Sequence, residues 1–365
     1  MEQYYDSAAR QFQIRGSIES VTPFGEGHIH ESFLVKIKEE DKPDYLLQKK
    51  NKYVFRDVPS MMDNINRVTR YLQKKIREKG GDPNRETLAL VPALDGRYYY
   101  LDPAGEYWAM CVFIKNSITY LKLESSALAT AGGREIGRFQ AMLADFDEPL
   151  ADILPGYHNM KYRFRQWDQA LGEDRAGLKK TIAREIAWIE ERRGSMLRFW
   201  DLIESGYLPR RVAHNDTKIS NILFDLGGNA ICVIDLDTVM RSTVLNDFGD
   251  SIRTYTNTGD EDDTDLDRVK MGLEIYRAYT EGYLSEAKSF LSSAELEHLA
   301  FSAHYITFEQ VLRFLMDYID GDRYYRVHYP EHNLVRTRAQ YRLLQSMEEQ
   351  LESMQQIVLE FSGPR

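Results

Sequence analysis

Apolar and polar positions alternate with a period of two in the first third of the chain, which predicts half-buried β-strands. A helical period separates the third predicted strand from the fourth: residues 59–79 place Ile65, Val68 and Leu72 on one side. The predicted strands are residues 17–22, 31–38, 44–49, 88–92, 97–101 and 108–114. This order predicts a small, mainly antiparallel β lobe that includes one helix.

Helical periodicity dominates from about residue 125 onward. The predicted helices are residues 127–145, 178–201, 265–281, 293–319 and 335–361. We therefore predict an α+β, two-lobed fold, with residues 1–115 as the N-terminal lobe and residues 116–365 as a larger, mainly helical C-terminal lobe.

The helical part is interrupted by a polar loop, which predicts the chemistry of the protein. Residues 211–221 (RVAHNDTKISN) carry His214, Asp216 and Asn221, and the apolar run 230–234 leads to Asp235. His-x-Asp-x-x-x-x-Asn is the spacing of the kinase catalytic loop. Phosphoryl transfer from ATP needs one carboxylate to accept the proton of the attacking hydroxyl, and an Asn and an Asp to hold Mg²⁺.

The residues after Asn221 predict a β-hairpin, because two apolar runs flank the turn at residues 225–229 (DLGGN). If the second strand continued through Asp237, Asp235 and Asp237 would lie on one face and repel each other unless a cation lay between them. The alternative is that Asp216 caps a turn and the other two carboxylates are solvated. The complete ordered set favours a kinase-like site.

A kinase-like fold also assigns a role to the end of the first lobe. The strand ending at residues 113–116 (FIKN) would be the hinge, with backbone groups near Phe113 and Lys115 holding the adenine edge. His214 has two interpretations, a base or a structural residue of the metal loop, and we favour the structural one.

Composition limits the choice of partners. The net charge is −10 with no long basic run, which argues against nucleic acid. Cys111 and Cys232 lie in apolar runs and are typical of buried thiols in a reducing compartment. The N-terminus does not resemble a signal peptide, and no apolar run is long enough to cross a bilayer. We expect a cytoplasmic protein without nucleic-acid or membrane partners; the oligomeric state is left open.

With these residues, the chain resembles the aminoglycoside phosphotransferase/choline kinase superfamily and, more narrowly, the N-acetylhexosamine 1-kinases. Two segments are variants of superfamily motifs: residues 214–218 (HNDTK), and residues 234–238 (IDLDT) continuing to residues 247–253 (DFGDSIR). A third segment is more specific: residues 329–338 (YPEHNLVRTR), with residues 313–315 (RFL) and 317–318 (DY) before it.

The resemblance implies transfer of a phosphoryl group from ATP, with Mg²⁺, to the anomeric hydroxyl of a small amino sugar. It implies Asp216 as the base, Asn221 and Asp235 as metal ligands, and Asp237 close to them. It places His28 and Arg313 at the sugar. The chain departs from the superfamily pattern in its third strand, where Gln48 aligns with the usual phosphate-binding Lys or Arg and Asn66 with the acid that pairs with it. This leaves Lys49, or another arrangement, to hold the phosphates.

Two interpretations of the sugar-binding residues are open. Arg313 lies one helical turn from Glu309 and from Asp317, so an intrahelical ion ladder competes with a substrate contact. Tyr325, in the aromatic run 324–329, either stacks on a sugar ring or packs in the core.

Two other functions compete with the sugar kinase. A cationic acceptor, of the aminoglycoside or choline type, would need acidic residues such as the loop 260–263 (DEDD) or an aromatic cage. A nucleotide-binding pseudokinase is favoured only by the Gln48–Asn66 departure. If the acceptor is not a cation, the acidic loop 260–263 is expected to be solvated.

Overall fold

The structure, a computed structural model, describes residues 2–25, 29–123 and 125–363. It divides into two compact units. The first unit comprises Met1–Thr119, Met142–Leu154 and Asn221–Arg241, and the second comprises Tyr120–Ala141, Pro155–Ser220 and Ser242–Arg365.

An antiparallel sheet forms the centre of the first unit. Its order is β1-β2-β3-β5-β4, and Leu47 pairs with Phe33 on one side and Met110 on the other. Buried Leu47, Phe33 and Trp108 form a core with helix α1 (Glu2–Ala9). The strands are β1 (Ile18–Pro23), β2 (Glu31–Ile37), β3 (Tyr45–Lys50), β4 (Tyr100–Leu101) and β5 (Tyr107–Val112).

Helix α2 (Val58–Glu78) follows the sheet strand β3 and is well capped. The Asp57 carboxylate accepts the Ser60 N–H at 3.1 Å, and Pro59 lies in the first turn, where its missing N–H costs nothing. Asn64 is buried on this helix and bonds the backbone at Ala151 and Val239. This side chain therefore ties α2 to the other two pieces of the first unit.

The predicted hairpin is present in the first unit. Strands β8 (Ile222–Asp225) and β9 (Ala230–Val233) pair antiparallel, and β6 (Ser117–Ile118) pairs with β8. The Asp225 carboxylate accepts the N–H groups of Gly227 and Asn229 at 2.8 and 2.9 Å, which closes the turn.

The second unit is helical, with the long helix α8 (Ser293–Ile319) at its centre. Ser292 and Glu295 form a capping box at its start, and buried side chains lie on every side of it. It packs against α4, α5, α6, α9 and α10. The other helices are α3 (Ser126–Met142), α4 (Met160–Glu173), α5 (Ala183–Glu204), α6 (Val244–Tyr255), α7 (Leu273–Ala287), α9 (His332–Glu349) and α10 (Leu351–Ser362), with the short strand β7 (Arg211–Ala213). A further short strand, β10 (Met240–Ser242), has its first two residues in the first unit.

The predicted α+β class is confirmed, with an antiparallel N-terminal region and a helical C-terminal region. Several element boundaries were wrong. Residues 335–361 form two helices that meet at Gln350, and residues 88–92 bond β5 without forming a full strand. Helices α1, α4 and α6 were not predicted. Within the described residues, no helix is long and apolar enough to cross a membrane.

Gly249 allows α6 to approach α8 closely, which provides a test of the fold. A Cβ at Gly249 would lie 2.4 Å from the Ser302 carbonyl oxygen. We expect Gly249→Ala to destabilise the protein by about 1–3 kcal/mol through overpacking, measured by urea unfolding. Gly172→Ala in α4 is the control, because nothing lies within 4 Å of its added Cβ; it should gain roughly 0.5–1 kcal/mol. Equal effects from the two substitutions would contradict this packing.

Candidate active site

The loop that carries Asp216 is held by two carboxylates of α6 in the second unit. Asp247 accepts the N–H groups of His214 and Asn215 at 3.0 and 2.7 Å, and Asp250 accepts that of Thr217 at 3.0 Å. Gln140 of α3 donates to Asp247 at 2.8 Å. Burial raises the pKa of Asp247, although attraction to His214 and the donated N–H bonds oppose this. The loop is therefore fixed through its backbone, so Asp216 can be oriented without using its own side chain.

Asp216 is an ionised carboxylate in this environment. Lys218 lies 2.8 Å from it. Burial raises the pKa of Asp216, but attraction to Lys218, His214 and Arg253 outweighs burial, so this pKa lies below its ordinary value. A carboxylate that is ionised at neutral pH can accept a proton from a hydroxyl.

His214 lies beneath this loop. Its Nδ1 accepts the Asp216 N–H at 3.2 Å, and its ring contacts Phe139 edge-on. A ring nitrogen that accepts a backbone N–H supports the loop, which agrees with the structural role preferred from the sequence.

Arg313 lies in a cage of tyrosine rings. Its guanidinium carbon is 5.4 to 5.9 Å from the ring centres of Tyr157, Tyr324 and Tyr325, and it donates one long bond of 3.4 Å to Gln310. Within the described part of the chain, no carboxylate lies within ion-pair distance of it.

The ion ladder along α8, one of the two interpretations left open for Arg313, is not formed among the described residues, because both candidate partners are bonded elsewhere. Glu309 contacts Arg163 at 2.8 Å and His158 at 2.6 Å. Asp317 accepts the backbone N–H groups of residues 323, 324 and 325 at 2.8 to 2.9 Å. Asp317 thereby turns the chain back at the end of α8 and brings Tyr324 and Tyr325 onto Arg313.

A cavity of about 280 Å³ lies beside this cage. Arg313 and Tyr325 belong to its wall. Asp216 is not part of that wall. The charges of both Arg313 and Asp216 nevertheless act on the phenol of Tyr157. Arg313 therefore faces a space that can hold a small polar molecule. The lining is Arg163, Gln166, Gln169, Ala170, Glu173, Arg175, Arg313, Met316, Asp317, Asp320, Tyr324 and Tyr325.

The first unit contains the predicted metal ligands at one end of the β8–β9 hairpin. Asn221 directly precedes β8, and its carbonyl accepts the N–H of Ile234 at 2.9 Å, next to Asp235. Carboxylate and amide oxygens are ligands that suit Mg²⁺, which is usually held by one or two protein groups and by phosphates. This donor set fits that ion. No cluster of three or more His, Cys, Asp or Glu that could bind a metal occurs among the residues described.

Asp235 and Asp237 do not lie on one face of a strand. Strand β9 ends at Val233, Asp235 has a left-handed backbone (φ 58°), and Asp237 lies in a short 3₁₀ turn. Lys50 Nζ lies 2.9 Å from both oxygens of Asp237, and His30 Nε2 contacts the same carboxylate. The positive charge next to Asp237 is therefore provided by a lysine side chain of the protein.

The buried Lys50–Asp237 pair fixes the charge of this carboxylate. The two side chains are only 4% and 6% exposed. Burial raises the pKa of Asp237, but attraction to Lys50 and His30 outweighs it, so the pKa lies well below its ordinary value. His30 Nδ1 accepts the N–H of Asn51 at 3.0 Å, so the proton on Nε2 can be donated to Asp237.

Lys50 was missed from the sequence, although the strand period contained the signal. Gln48 and Lys50 lie on the same face of β3, and Lys50 donates to the Gln48 Oε1 at 2.9 Å. Lys49, the expected substitute, points the other way and contacts Glu31 of β2. Asn66 is half-buried, and no bond joins its side chain to Gln48 among the described residues.

The hinge residues occupy the end of the first-unit sheet. The Phe113 N–H donates to the Asp44 carbonyl at 2.8 Å, and the Lys115 carbonyl accepts from Arg85 at 2.8 Å. These two backbone groups are therefore already bonded within the unit. His28, predicted at the sugar, lies outside the described residues.

The acidic loop 260–263 is partly exposed, but its carboxylates are bonded rather than simply solvated. Lys122 contacts Asp260, Arg253 contacts Glu261 at 3.2 Å, and His332 contacts Asp262 at 2.8 Å. Asp263 accepts the N–H of Asp265 at 3.0 Å.

The family is shown by comparison with known proteins. The model of the phosphotransferase enzyme family (APH) matches residues 20–284, well over half of the chain. The chain belongs to this family. The predicted superfamily and phosphotransferase class are confirmed, whereas the N-acetylhexosamine specificity stays a prediction.

Solved structures of small-molecule kinases share the fold. A microcompartment-associated aminopropanol kinase is 16% identical, with a TM-score of 0.65 and coverage of 96% of this chain and 98% of that one. An amicoumacin kinase, solved in complex with AMP-PNP, Ca²⁺ and Ami, is 13% identical, with a TM-score of 0.58 and coverage of 96% of this chain and 93% of that one. A spectinomycin phosphotransferase, solved with ADP and spectinomycin, is 11% identical, with a TM-score of 0.57 and coverage of 96% and 98%. At these identities the likeness concerns the fold alone.

The buried pair in the first unit leads to a stability prediction. Lys50→Met leaves Asp237 buried without its cation, and we expect a loss of about 3–5 kcal/mol in unfolding free energy at pH 7. Because the pKa of Asp237 is depressed in the fold, the stabilisation is present above the unfolded value of about 3.9 and disappears as pH falls through the folded value. The difference between wild type and variant should therefore narrow on acidification.

The neighbouring lysine is the matched control for this measurement. Lys49→Met removes an exposed pair with Glu31, and its cost should stay below about 1 kcal/mol. If both variants lost the same free energy in urea unfolding at pH 7, the Lys50–Asp237 pair would not be formed in solution.

Proposed function

We propose that this phosphotransferase transfers the γ-phosphoryl group of ATP to the anomeric hydroxyl of an N-acetylhexosamine, with Mg²⁺ bound to the nucleotide. The observation that carries the proposal is Arg313, a guanidinium in a tyrosine cage with no carboxylate partner among the described residues. The resemblance of residues 329–338 and of Arg313 itself to the N-acetylhexosamine 1-kinases supports the same acceptor.

The chemistry of the cage suits a neutral amino sugar. An acetamido sugar offers a carbonyl oxygen and hydroxyl groups, and an Arg donor strengthens hydrogen bonds to such acceptors. Tyr325 and Tyr324 add aromatic faces on which the apolar side of a sugar ring can stack. The resemblance also assigns His28 to the sugar.

In the proposed mechanism, Asp216 accepts the proton of the attacking hydroxyl. Asn221 and Asp235 would hold Mg²⁺, which would supply positive charge to neutralise the phosphates. Asp237 is the less suitable direct ligand, because Lys50 and His30 already compensate its charge. Among the side chains of β3, we propose that Lys50, and not Gln48 or Lys49, contacts the phosphates. ATP would then compete with Asp237 for the Lys50 ammonium group.

A cationic acceptor is the competing function, because structural neighbours include an aminopropanol kinase and a spectinomycin phosphotransferase. Arg313 would repel a cation in its cage. The carboxylates of the loop 260–263 are bonded to Lys122, Arg253, His332 and backbone N–H groups, which leaves less negative charge for an amine.

The decisive experiment is an acceptor panel with ATP and Mg²⁺: N-acetylglucosamine, N-acetylgalactosamine, galactose, choline and kanamycin. Phosphorus NMR of the product identifies the phosphorylated oxygen. We expect sugar 1-phosphate from the two N-acetylhexosamines and little product from the cations. Phosphorylation of kanamycin or choline in preference to the sugars would overturn the proposal, and no product from any acceptor would favour the pseudokinase.

Asp216→Asn tests the base. The substitution preserves shape but removes the proton acceptor and a negative charge, so kcat should fall by about 10²- to 10⁴-fold or more. Binding of ATP, measured by calorimetry, should persist. Asp225→Asn, in the turn of the β8–β9 hairpin, is the control, and it should leave kcat near that of the wild type. Turnover of the Asp216 variant at the wild-type rate would remove Asp216 from the mechanism.

Arg313→Leu tests the acceptor site. Loss of a charge-assisted hydrogen bond costs roughly 1.5–3 kcal/mol, so KM for the N-acetylhexosamine should rise on the order of ten- to a hundredfold, with KM for ATP little changed. Arg184→Leu is the control, since Arg184 also lies over an aromatic ring, that of Trp188, but does not line the cavity. Destabilisation of the Arg313 variant with an unchanged sugar KM would make Arg313 structural.

A further inference from the structure

His158 joins the candidate catalytic loop to α8 in the second unit. It is buried, with its side chain 6% exposed, and lies just before the N-cap of α4. Its Nδ1 is 2.6 Å from a carboxylate oxygen of Glu309, and its Nε2 is 3.3 Å from the carbonyl oxygen of Asn215. Asn215 directly precedes Asp216, so His158 contacts the backbone that carries the proposed base.

The two partners of His158 define its charge. A carboxylate and a backbone carbonyl can only accept hydrogen bonds, so both ring nitrogens must carry a proton for both bonds to form. A ring with protons on both nitrogens is an imidazolium. Arg163 also contacts Glu309, so that one buried carboxylate is shared between two cations.

The backbone at this contact is held in an uncommon conformation. His158 and Asn215 both have left-handed φ values, 53° and 68°, which non-glycine residues rarely adopt. The Tyr305 hydroxyl donates to the His158 carbonyl at 2.8 Å and holds that residue in place. Such conformations persist only where the surroundings enforce them, and they concentrate at functional sites.

We propose that His158 is a positioning residue for phosphoryl transfer: as an imidazolium held by Glu309, it bonds the Asn215 carbonyl and fixes the backbone from which Asp216 acts. This inference rests on the proposed role of Asp216 as the base.

Loss of the ring proton should release the loop. The bond to Glu309 is the shorter one and involves a charged acceptor, so a neutral ring keeps its proton on Nδ1. Nε2 then presents a lone pair to the Asn215 carbonyl, and the two repel. Turnover should therefore fall when the pH is high enough to leave the ring neutral.

Charged and titratable groups surround His158 and its partner Glu309. Burial raises the pKa of Glu309, but attraction to His158, Arg163 and Arg313 outweighs it, so Glu309 stays ionised with a pKa below its ordinary value. The charged or titratable groups that contact His158 or Glu309 are Tyr305 of α8, Arg163 of α4 and Tyr157 beside the ring. The charges of Arg313, Asp216 and Asp250 act on the phenol of Tyr157.

His158→Asn is the first test. Asn tolerates a left-handed backbone, but it is shorter and carries both of its N–H donors on one nitrogen, so it cannot bridge both partners. We expect kcat to fall about 10- to 100-fold, KM for ATP to stay within about twofold, and the alkaline limb of the kcat profile to disappear. His298→Asn is the matched control, because among the described residues the one hydrogen bond of the His298 ring goes to its own helix, at the Ala294 carbonyl. Its profile should match that of the wild type. Unchanged kcat and alkaline limb in the His158 variant would overturn the proposal.

Two further measurements keep the test decisive. Nitrogen-15 NMR of the imidazole rings should show a doubly protonated ring at the pH of maximal turnover that is missing in His158→Asn; a neutral ring there would also overturn the proposal. If His158→Asn fails to fold, Glu309→Gln removes the carboxylate that favours the imidazolium, and the alkaline limb should move to lower pH; an unmoved limb would count against His158.

The ring measurement also separates this inference from the proposed function. It needs no acceptor, so it reports on His158 even if the acceptor panel gives no sugar phosphate. If a different acceptor is phosphorylated, the proposed specificity fails, and the kcat profiles are measured with that acceptor instead.

Discussion

The loop that carries Asp216, the proposed base, depends on two carboxylates of α6 that bond its backbone. Asp247 and Asp250 together accept the N–H groups of His214, Asn215 and Thr217. Helix α6 is buried along almost its whole length, and Gly249 between the two aspartates lets it approach α8. A flexible surface residue could accept the same hydrogen bonds, but its position would fluctuate. A buried helix keeps the two carboxylate acceptors at fixed positions. The position of Asp216 therefore follows from helix packing.

The general architecture was predictable because it depends on local periodicity. Strands β1, β2 and β3 and helices α2 and α3 have one apolar face each, so their type could be read from spacing. Elements without such a pattern were missed. Helix α6 is buried nearly all round, and the break at Gln350 lies inside a continuous helical pattern without Gly or Pro.

The candidate site was predictable where chemistry depends on spacing along the chain and unpredictable where it depends on contacts between distant segments. Asp216, Asn221 and Asp235 follow a compact motif. The Lys50–Asp237 pair joins residues 187 positions apart, and His158–Glu309 joins residues 151 apart. The ion ladder at Arg313 failed for the same reason: Glu309 and Asp317 are near it in sequence, but distant segments and a returning backbone provide them with better partners. Lys50 could have been predicted from the sequence, because it lies on the same strand face as Gln48.

Unusual backbone conformations connect these observations. Asp235 in the first unit and His158 and Asn215 in the second have left-handed φ values, and each lies at or beside a residue with a proposed role. A non-glycine residue in this region costs of order 1–3 kcal/mol. Neighbouring bonds must offset that cost: Asp247 and His158 bond the backbone of Asn215, and Tyr305 bonds that of His158. Replacing any of these partners therefore has two effects. It removes a hydrogen bond, and it also allows the backbone to relax toward a commoner conformation. In the proposed mechanism, His158 would act in this way: its contacts with Glu309 and the Asn215 carbonyl hold the backbone next to Asp216.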